Sequence, residues 1–401
     1  MTPDRSPETL RLDIRSWLER KVPRGWRAAM TGVDQDAFVR AQREWFFALV
    51  EAGYATPHWP AGWPGGGRSL AEQKLIYEEI ARADAPRLIL YFVALYHAAC
   101  TIGEWGSPAQ KEKYLPGILK GDVWCQGFSE PNAGSDLASV RTRAVLKGDR
   151  YVVSGQKTWS TLAQHADRCL LLARSASPGP PQAGLTYLLL DMRARGVSVR
   201  PIAQITGDDE FAEIFFDDVE VPVEDRVGRE GEGWAVAQST LSSERGLTLV
   251  ELTQRMRYAL ARIAALMQER GCMRDPALRR DLGQLVAKVE AACALADRYL
   301  LKRISGEEAA GDASIVKLCY ARTLREFVRL GQRIAGLQGQ YRADFTRGGG
   351  QETGNWAVDF MNSYNWSIAG GSDEIQRNII AERLLGMPRE PRGWQLANER
   401  R

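Results

Sequence analysis

Two short segments, residues 128–136 and 155–161, carry residue types that suit the binding of a flat aromatic ligand. Gly134 lets the backbone approach such a ligand closely, and Trp159 can cover its aromatic face. The polar edge of the ligand can be met by three hydroxyl groups, those of Ser129, Ser135 and Thr161. Together the segments suit a flavin ring, although either one alone fits a turn with a core tryptophan equally well.

Strands must position these segments, because residues 122–228 consist of short β-rich runs separated by turns. This pattern predicts an antiparallel, β-barrel-like middle domain. Residues 1–121 show helical spacing with capping boxes at Ser69 and Ser107, and residues 229–401 contain long helical stretches. The sequence therefore predicts an α+β multidomain fold, with an all-α N-terminal domain, this middle domain and a C-terminal four-helix bundle.

The composition is that of an ordinary globular protein, with 44% hydrophobic and 26% charged residues among 401. The formal net charge is +3 and no Lys/Arg block could follow a phosphate backbone, so we expect no nucleic acid partner. The six cysteines form no tight cluster, which predicts reduced thiols and no metal site. The charged N-terminus and the interrupted apolar run at residues 88–103 predict a cytoplasmic protein without membrane insertion.

The two segments resemble the flavin-binding signature of the acyl-CoA dehydrogenase family. That signature has a Thr- or Ser-Glu-Pro-x-Ala-Gly-Ser-Asp block and then Gly-Gln-Lys-x-Trp. Further blocks resemble the family in the same order, at residues 205–208, 215–222, 231–234 and 371–383. The resemblance covers nearly the whole chain, and the family's helical, β and helical domains match the three regions that periodicity predicts.

The resemblance implies an FAD-dependent oxidoreductase that converts an acyl-CoA thioester to the trans-2-enoyl-CoA. A glutamate would remove the proton next to the thioester carbonyl while a hydride leaves the next carbon for flavin N5. Reduced flavin would pass electrons to an electron-transfer flavoprotein, in lipid metabolism such as fatty acid β-oxidation. The family motifs place the flavin contacts at Phe128, Ser129, Gly134, Ser135, Trp159, Thr161, Ser372 and Glu374.

The resemblance places the general base at Glu244. Many members carry the base in a Tyr-Glu-Gly-Thr sequence, but Gly370 stands at the matching position here. A second group of members has its base directly before an arginine in the first helix of the last domain, and Glu244-Arg245 matches that pair. Gly370 would clear space for Glu244 and keep a backbone N–H for the thioester oxygen. The alternative is that Glu244 forms a structural ion pair with a nearby arginine.

Two stretches depart from the family pattern. Most homotetrameric members hold the adenosine end of FAD with an Arg-x-x-Phe-Gly stretch and a glycine-rich stretch, which are replaced here at residues 270–276 and 334–341. Some bacterial members instead pair unlike subunits in an α2β2 tetramer. The chain is therefore expected in a homo- or hetero-tetramer, and it resembles the base-bearing partner of the latter.

Other functions on the same fold stay open. An acyl-CoA oxidase or related flavin monooxygenase would give its electrons to oxygen, and a catalytically silent partner subunit would only shape a complex. The acyl group is equally open, since branched acyl chains, steroid side chains and carrier-bound natural products are all compatible with the sequence.

Overall fold

Reciprocal capping fixes the start of two N-terminal helices, as the sequence predicts. The Ser69 and Ser107 hydroxyls accept from the backbone N–H groups of Glu72 and Gln110, whose side chains accept from the cap backbone. The computed structural model describes residues 6–63, 66–175, 180–244, 247–347 and 353–389. The N-terminal elements are α1 Pro7–Lys21, α2 Trp26–Ala29, α3 Gln35–Glu51, α4 Leu70–Arg82, a π-helical segment Val93–Ala98, α5 Ala99–Trp105 and α6 Pro108–Leu119.

A single sheet follows, in the order β6-β7-β3-β2-β4-β5-β8, with β1 paired to β4 outside this path. Its strands are β1 Trp124–Gly127, β2 Arg143–Lys147, β3 Arg150–Thr161, β4 Arg168–Arg174, β5 Leu185–Asp191, β6 Val197–Pro201, β7 Phe211–Pro222 and β8 Arg226–Val227.

The predicted order of helical, β and helical parts is confirmed, but the sheet is mixed rather than wholly antiparallel. β1 runs parallel to β4, with Cys125 opposite Cys169, and β2 meets β4 in parallel at Arg143 and Arg174. The turn signals in the sequence indicate hairpins between successive strands, which are antiparallel. The β2–β3 hairpin separates β1 from β4 along the chain, and this long connection makes a parallel pairing possible.

The central strands are buried on both faces, which ties the sheet to the helices. On β4, Leu171 belongs to the core inside the sheet domain, whereas Leu170 and Leu172 join the core shared with the N-terminal helices. Val236 and Ala237 of the last domain also belong to that shared core. Because both faces of these strands are buried, their sequences are continuous apolar runs rather than alternating apolar and polar residues.

The C-terminal part is a helical bundle whose core includes Met256, Val289 and Phe327. Tyr77 of α4 belongs to the same core and joins the N-terminal helices to the bundle. Along the described stretches, no helix has the length and apolarity needed to cross a membrane. The helices are α7 Gly233–Glu244, α8 Leu247–Glu269, α9 Pro276–Ser305, α10 Asp312–Ala335, α11 Trp356–Ser363 and α12 Asp373–Ile379, which continues as a π-helical segment Ile380–Leu384.

Candidate active site

A buried ion pair anchors the loop at residues 128–136 to strand β3. Lys157 is fully buried, and its Nζ donates to Glu130 Oε1 at 2.8 Å and to the Phe128 carbonyl oxygen at 2.9 Å. The Glu130 carboxylate also accepts from the backbone N–H groups of residues 141–142, at 2.7 and 2.8 Å. One charged pair therefore fixes the loop to both the strand and the chain that follows it.

The two charges stabilise each other in place of solvent. Burial lowers the pKa of Lys157 to about 8, so its ammonium keeps the proton at neutral pH. Burial is the largest influence on Glu130 and would raise its pKa, but the charge of Lys157 and the hydrogen bonds from Lys157 and residues 141–142 together lower that pKa. Because either partner alone would be an uncompensated buried charge, the loop and the strand are energetically coupled.

A β-bulge in β3 turns Trp159 out of the sheet. The register between β3 and β7 shifts between Lys157 and Ser160. Trp159 has a φ of +60°, in the left-handed region that bulky residues rarely adopt, and it is 58% exposed. Its ring lies edge-on to Phe211, with centroids 6.1 Å apart. Backbone strain of this kind concentrates at functional sites, and here it accompanies an exposed indole.

The two predicted segments meet beside this bulge. The Thr158 N–H donates to the Ser129 carbonyl oxygen at 2.9 Å. Phe128 is buried in the core, whereas Gly134 and Ser135 are exposed. A Cβ added at Gly134 would meet no heavy atom within 4 Å, so the glycine borders open space. The structure thus brings an exposed loop and an exposed indole into one region.

The Gly370–Gly371 turn before α12 is held from the side of the bundle. Both glycines have positive φ values, +64° and +89°. The Lys317 ammonium donates to the Gly371 carbonyl oxygen at 2.7 Å, and Gln376 Nε2 donates to the Gly370 carbonyl oxygen at 2.8 Å. In a trans peptide the N–H points opposite to the C=O, so the N–H groups that follow these carbonyls point away from Lys317 and Gln376.

Ser372 and Glu374 have other partners at the start of α12. Ser372 caps the helix, since its hydroxyl accepts from the Ile375 N–H at 3.4 Å. The Glu374 side chain is 75% exposed and lies 3.1 Å from Arg377 of the same helix. Glu374 therefore faces solvent in this chain.

The helix that carries Glu244 is fixed to both preceding parts of the chain. The Thr240 hydroxyl lies 2.7 Å from the Thr101 hydroxyl and 3.1 Å from that of Tyr187. Glu244 is the last residue of α7. Its side chain, and Arg245 entirely, lie outside the described residues.

A cavity of about 180 Å³ lies where the three parts of the chain meet. Its walls include Thr161, two residues after the exposed indole, and Ala369, directly before the glycine turn. Glu210 supplies a carboxyl group to the same wall. Burial, followed by the negative charge of Asp208, raises the pKa of Glu210 to about 7. The Glu210 side chain is half-buried, because protein atoms surround it on most sides and the cavity leaves part of it exposed.

Sequence reasoning missed the roles of several buried polar side chains. Glu130 and Lys157 lie in the two segments at residues 128–136 and 155–161. Their opposite charges beside apolar strands were the one sign in the sequence that they could pair. Lys317 and Gln376 sit on helices with no local sign that they reach the glycine turn. Glu210 precedes β7 among other acidic residues, where nothing in the sequence distinguishes it.

This fold and site define the class of protein, because the chain matches family models along most of its length. The models describe the N-terminal, middle and C-terminal domains of acyl-CoA dehydrogenases, and they match residues 5–122, 125–219 and 231–385. The chain belongs to the acyl-CoA dehydrogenase family, whose members are flavoprotein oxidoreductases acting on CH–CH groups.

Individual relatives cover almost the entire chain. The acyl-CoA dehydrogenase IpdE1 of Mycolicibacterium smegmatis is 38% identical over 404 residues, covering 96% of this chain and 99% of the relative. A solved structure named Tcur3481-Tcur3483 steroid ACAD is 30% identical with a TM-score of 0.83, covering 96% of this chain and 98% of that one. The ChsE4-ChsE5 complex from Mycobacterium tuberculosis is 27% identical with a TM-score of 0.78, covering 97% and 99%.

Proposed function

We propose that the chain is an FAD-dependent acyl-CoA dehydrogenase that converts an acyl-CoA thioester to the trans-2-enoyl-CoA. The observation that carries the proposal is the bulge in β3, which exposes the indole of Trp159 two residues before Thr161. An exposed, positioned indole suits a flat aromatic cofactor because stacking removes apolar faces of both rings from water.

The side chains near this indole fit a flavin ring and its polar edge. Gly134 borders open space, and Ser129 and Ser135 bring hydroxyl groups on a loop that the buried Glu130–Lys157 pair keeps in place. When bound, FAD would supply N5 as the acceptor of a hydride from the substrate. Phe128 would support this loop from the core.

Glu244 is the proposed general base. Helical spacing places position 244 on the same face of α7 as Thr240, which is hydrogen-bonded to the N-terminal helices and the sheet. Its carboxylate would take the proton from the carbon next to the thioester carbonyl as the hydride leaves the neighbouring carbon. Arg245 would stand beside the base as a neighbouring positive charge.

Gly370 would bind the thioester oxygen through its backbone N–H. The carbon that loses its proton is only weakly acidic, so charge developing on this oxygen needs a positioned donor. Lys317 and Gln376 hold the carbonyl groups of residues 370 and 371, and they would thereby restrict the turn that begins with this N–H. Ser372 and Glu374 would approach the cofactor from the start of α12.

A second, unlike chain would complete the grip on the adenosine end of FAD. Arg270 hydrogen-bonds to Gln338, so residues from the two stretches that replace family motifs contact each other here. Leu337 and Tyr341 are exposed next to them, by 79% and 72%. We propose an α2β2 tetramer with this chain as base-bearing subunit, organised as domains 1–121, 122–228 and 229–401, and an electron-transfer flavoprotein as acceptor.

The test combines flavin absorbance with one substitution. Anaerobic addition of acyl-CoA thioesters should bleach the flavin band of the purified protein, and Glu244→Gln should keep flavin but lower turnover about 10²-fold or more. The matched control is Glu269→Gln, an exposed glutamate at the end of α8. Unchanged turnover in Glu244→Gln would show that Glu244 is not the base. Rapid oxygen consumption with peroxide formation would show that the protein is an oxidase rather than a dehydrogenase.

A further inference from the structure

The cavity beside the site combines aromatic and polar walls. Phe92, Phe211, Phe345 and Trp366 supply aromatic surface, while Glu210 brings a carboxyl group to the same space. The other charged and amide side chains that line the cavity are Arg87, Asp208, Arg347, Asn362 and Asn365. A carboxyl group away from bulk water is costly unless something donates to it. The cavity therefore suits a ligand with apolar surface that also offers a hydrogen-bond donor to Glu210.

The described groups around Glu210 act on its carboxyl group through their charges. The nearest charges face it from three elements: Asp208 before β7, Arg87 before the π-helical segment and Arg347 in the C-terminal part. Arg347 is engaged elsewhere, since it forms an ion pair with Asp208 and its Nε donates to the Val33 carbonyl oxygen at 2.9 Å. Glu210 is thus an acceptor available to a ligand.

The volume of the cavity is sufficient for a ring. A closed apolar cavity of about 150 Å³ holds one benzene molecule. The space here is about 180 Å³ and partly open, so it has room for a six-membered ring with a small substituent. Thr161 and Ala369 border this space, which places it next to the proposed reaction centre.

We propose that this cavity receives one ring of the acyl group, and that Glu210 accepts a hydrogen bond from a hydroxyl group on that ring. The chain would then select hydroxylated cyclic acyl-CoA thioesters over their deoxy analogues. This inference rests on the proposed acyl-CoA dehydrogenase function and adds the substrate class and the residue that recognises it. A hydrogen bond to a charged group corresponds to roughly a 10- to 100-fold preference in Kd.

The test measures binding without turnover, in protein that carries Glu244→Gln and has been reconstituted with FAD. The probes are trans-4-hydroxycyclohexanecarbonyl-CoA against cyclohexanecarbonyl-CoA, and 3-(4-hydroxycyclohexyl)propanoyl-CoA against 3-cyclohexylpropanoyl-CoA. Dissociation constants are measured at pH 8, where a carboxyl group with a pKa of about 7 is mostly ionised, from the shift in flavin absorbance and from calorimetry. The variant is Glu210→Leu, and the matched control is Glu220→Leu, an exposed glutamate on the same strand, β7.

We expect the hydroxylated member of at least one pair to bind about tenfold tighter or better. Glu210→Leu should abolish this preference and retain flavin, while Glu220→Leu should keep it. An unchanged preference in Glu210→Leu, or no preference in either pair, would overturn the inference. Flavin loss confined to Glu210→Leu would also overturn it, because the carboxyl group would then serve the cofactor.

A second variant covers the case in which Glu210→Leu fails to fold. Glu210→Gln keeps the shape and an acceptor but removes the charge, so it should reduce the preference, and an unchanged preference overturns the inference. Failure of the proposed function looks different, because no thioester would then bleach the flavin of the protein with Glu244 intact. Bleaching by both members of a pair with equal Kd values would overturn the role of Glu210 alone.

Discussion

At the scale of single residues, the buried Lys157 ammonium shows how charge organises this site. It donates to the Glu130 carboxylate and to a backbone carbonyl oxygen, so the buried charge is compensated by protein groups. Breaking such a pair from one side leaves the other charge buried, which is far more costly than losing a surface ion pair. The loop that would contact the flavin therefore depends on one side chain of β3.

Lys157→Met tests this dependence, because methionine keeps most of the apolar bulk but removes the charge. We expect the free energy of unfolding to fall by about 3–5 kcal/mol and flavin to be retained poorly. Urea denaturation and the flavin-to-protein ratio measure the two effects. The control Lys288→Met breaks an exposed pair with Glu326 and should cost about 1 kcal/mol or less. Equal losses in the two variants would contradict the account.

Glu210 gives a prediction about pH. Its pKa is about 7 in the folded protein and lies near 4.3 in an unfolded chain, so the folded state binds more protons between these values. Stability should therefore fall as pH rises through this window. Glu210→Gln removes the titrating group, so the variant should gain stability relative to the unsubstituted chain between pH 5 and pH 8, on the order of 2 kcal/mol.

Urea denaturation of both proteins at pH 5 and pH 8 measures this difference. The groups that face Glu210, namely Asp208, Arg87 and Arg347, are present in both proteins, so their own contributions cancel. A constant difference in the free energy of unfolding between the two pH values would show that Glu210 titrates normally.

At the scale of elements, strand β3 is shaped by two irregularities. One is the bulge at Trp159, and the other is the register shift around Gly155, whose φ is +151°. A Cβ at Gly155 would lie 2.7 to 2.9 Å from atoms of Thr142. The close approach of Thr142 to β3 therefore requires a glycine at position 155.

Two glycine substitutions should separate fold from cofactor binding. Gly155→Ala introduces a steric overlap and should lower the free energy of unfolding by about 1–3 kcal/mol. Gly134→Ala meets open space, so it should leave stability within about 0.5 kcal/mol and weaken flavin binding instead. Denaturation and flavin titration of both variants provide the comparison. Stability lost in Gly134→Ala and kept in Gly155→Ala would refute it.

The elements themselves could largely be read from the sequence, whereas their irregularities could not. Capping boxes depend on residues three positions apart, so Ser69 and Ser107 were visible as helix starts. The parallel pairing of β1 with β4 and the left-handed backbone of Trp159 depend on contacts between distant segments. The surroundings of Glu210 also depend on distant segments, since Arg347 forms its ion pair with Asp208.

At the scale of the whole molecule, the exposed surface near residues 337–341 bears on assembly. If an unlike partner grips the adenosine end of FAD, this chain purified alone should contain well under one flavin per chain. Co-expression with that partner should restore a nearly equimolar ratio and a tetrameric mass. Absorbance and light scattering measure both quantities. A chain that is fully loaded with flavin by itself would show that it needs no unlike partner.

The glycine turn at residues 370–371 also bears on how enzymes of this kind diverge. Position 370 has a left-handed backbone, which costs roughly 1–2 kcal/mol for residues other than glycine. Lys317 and Gln376 hold the carbonyl groups of the turn from two helices, which favours that conformation. A glutamate substituted at position 370 would therefore bear the cost of the left-handed backbone. If Glu244 is the base, as proposed, the backbone of this turn would constrain where evolution can place a catalytic group.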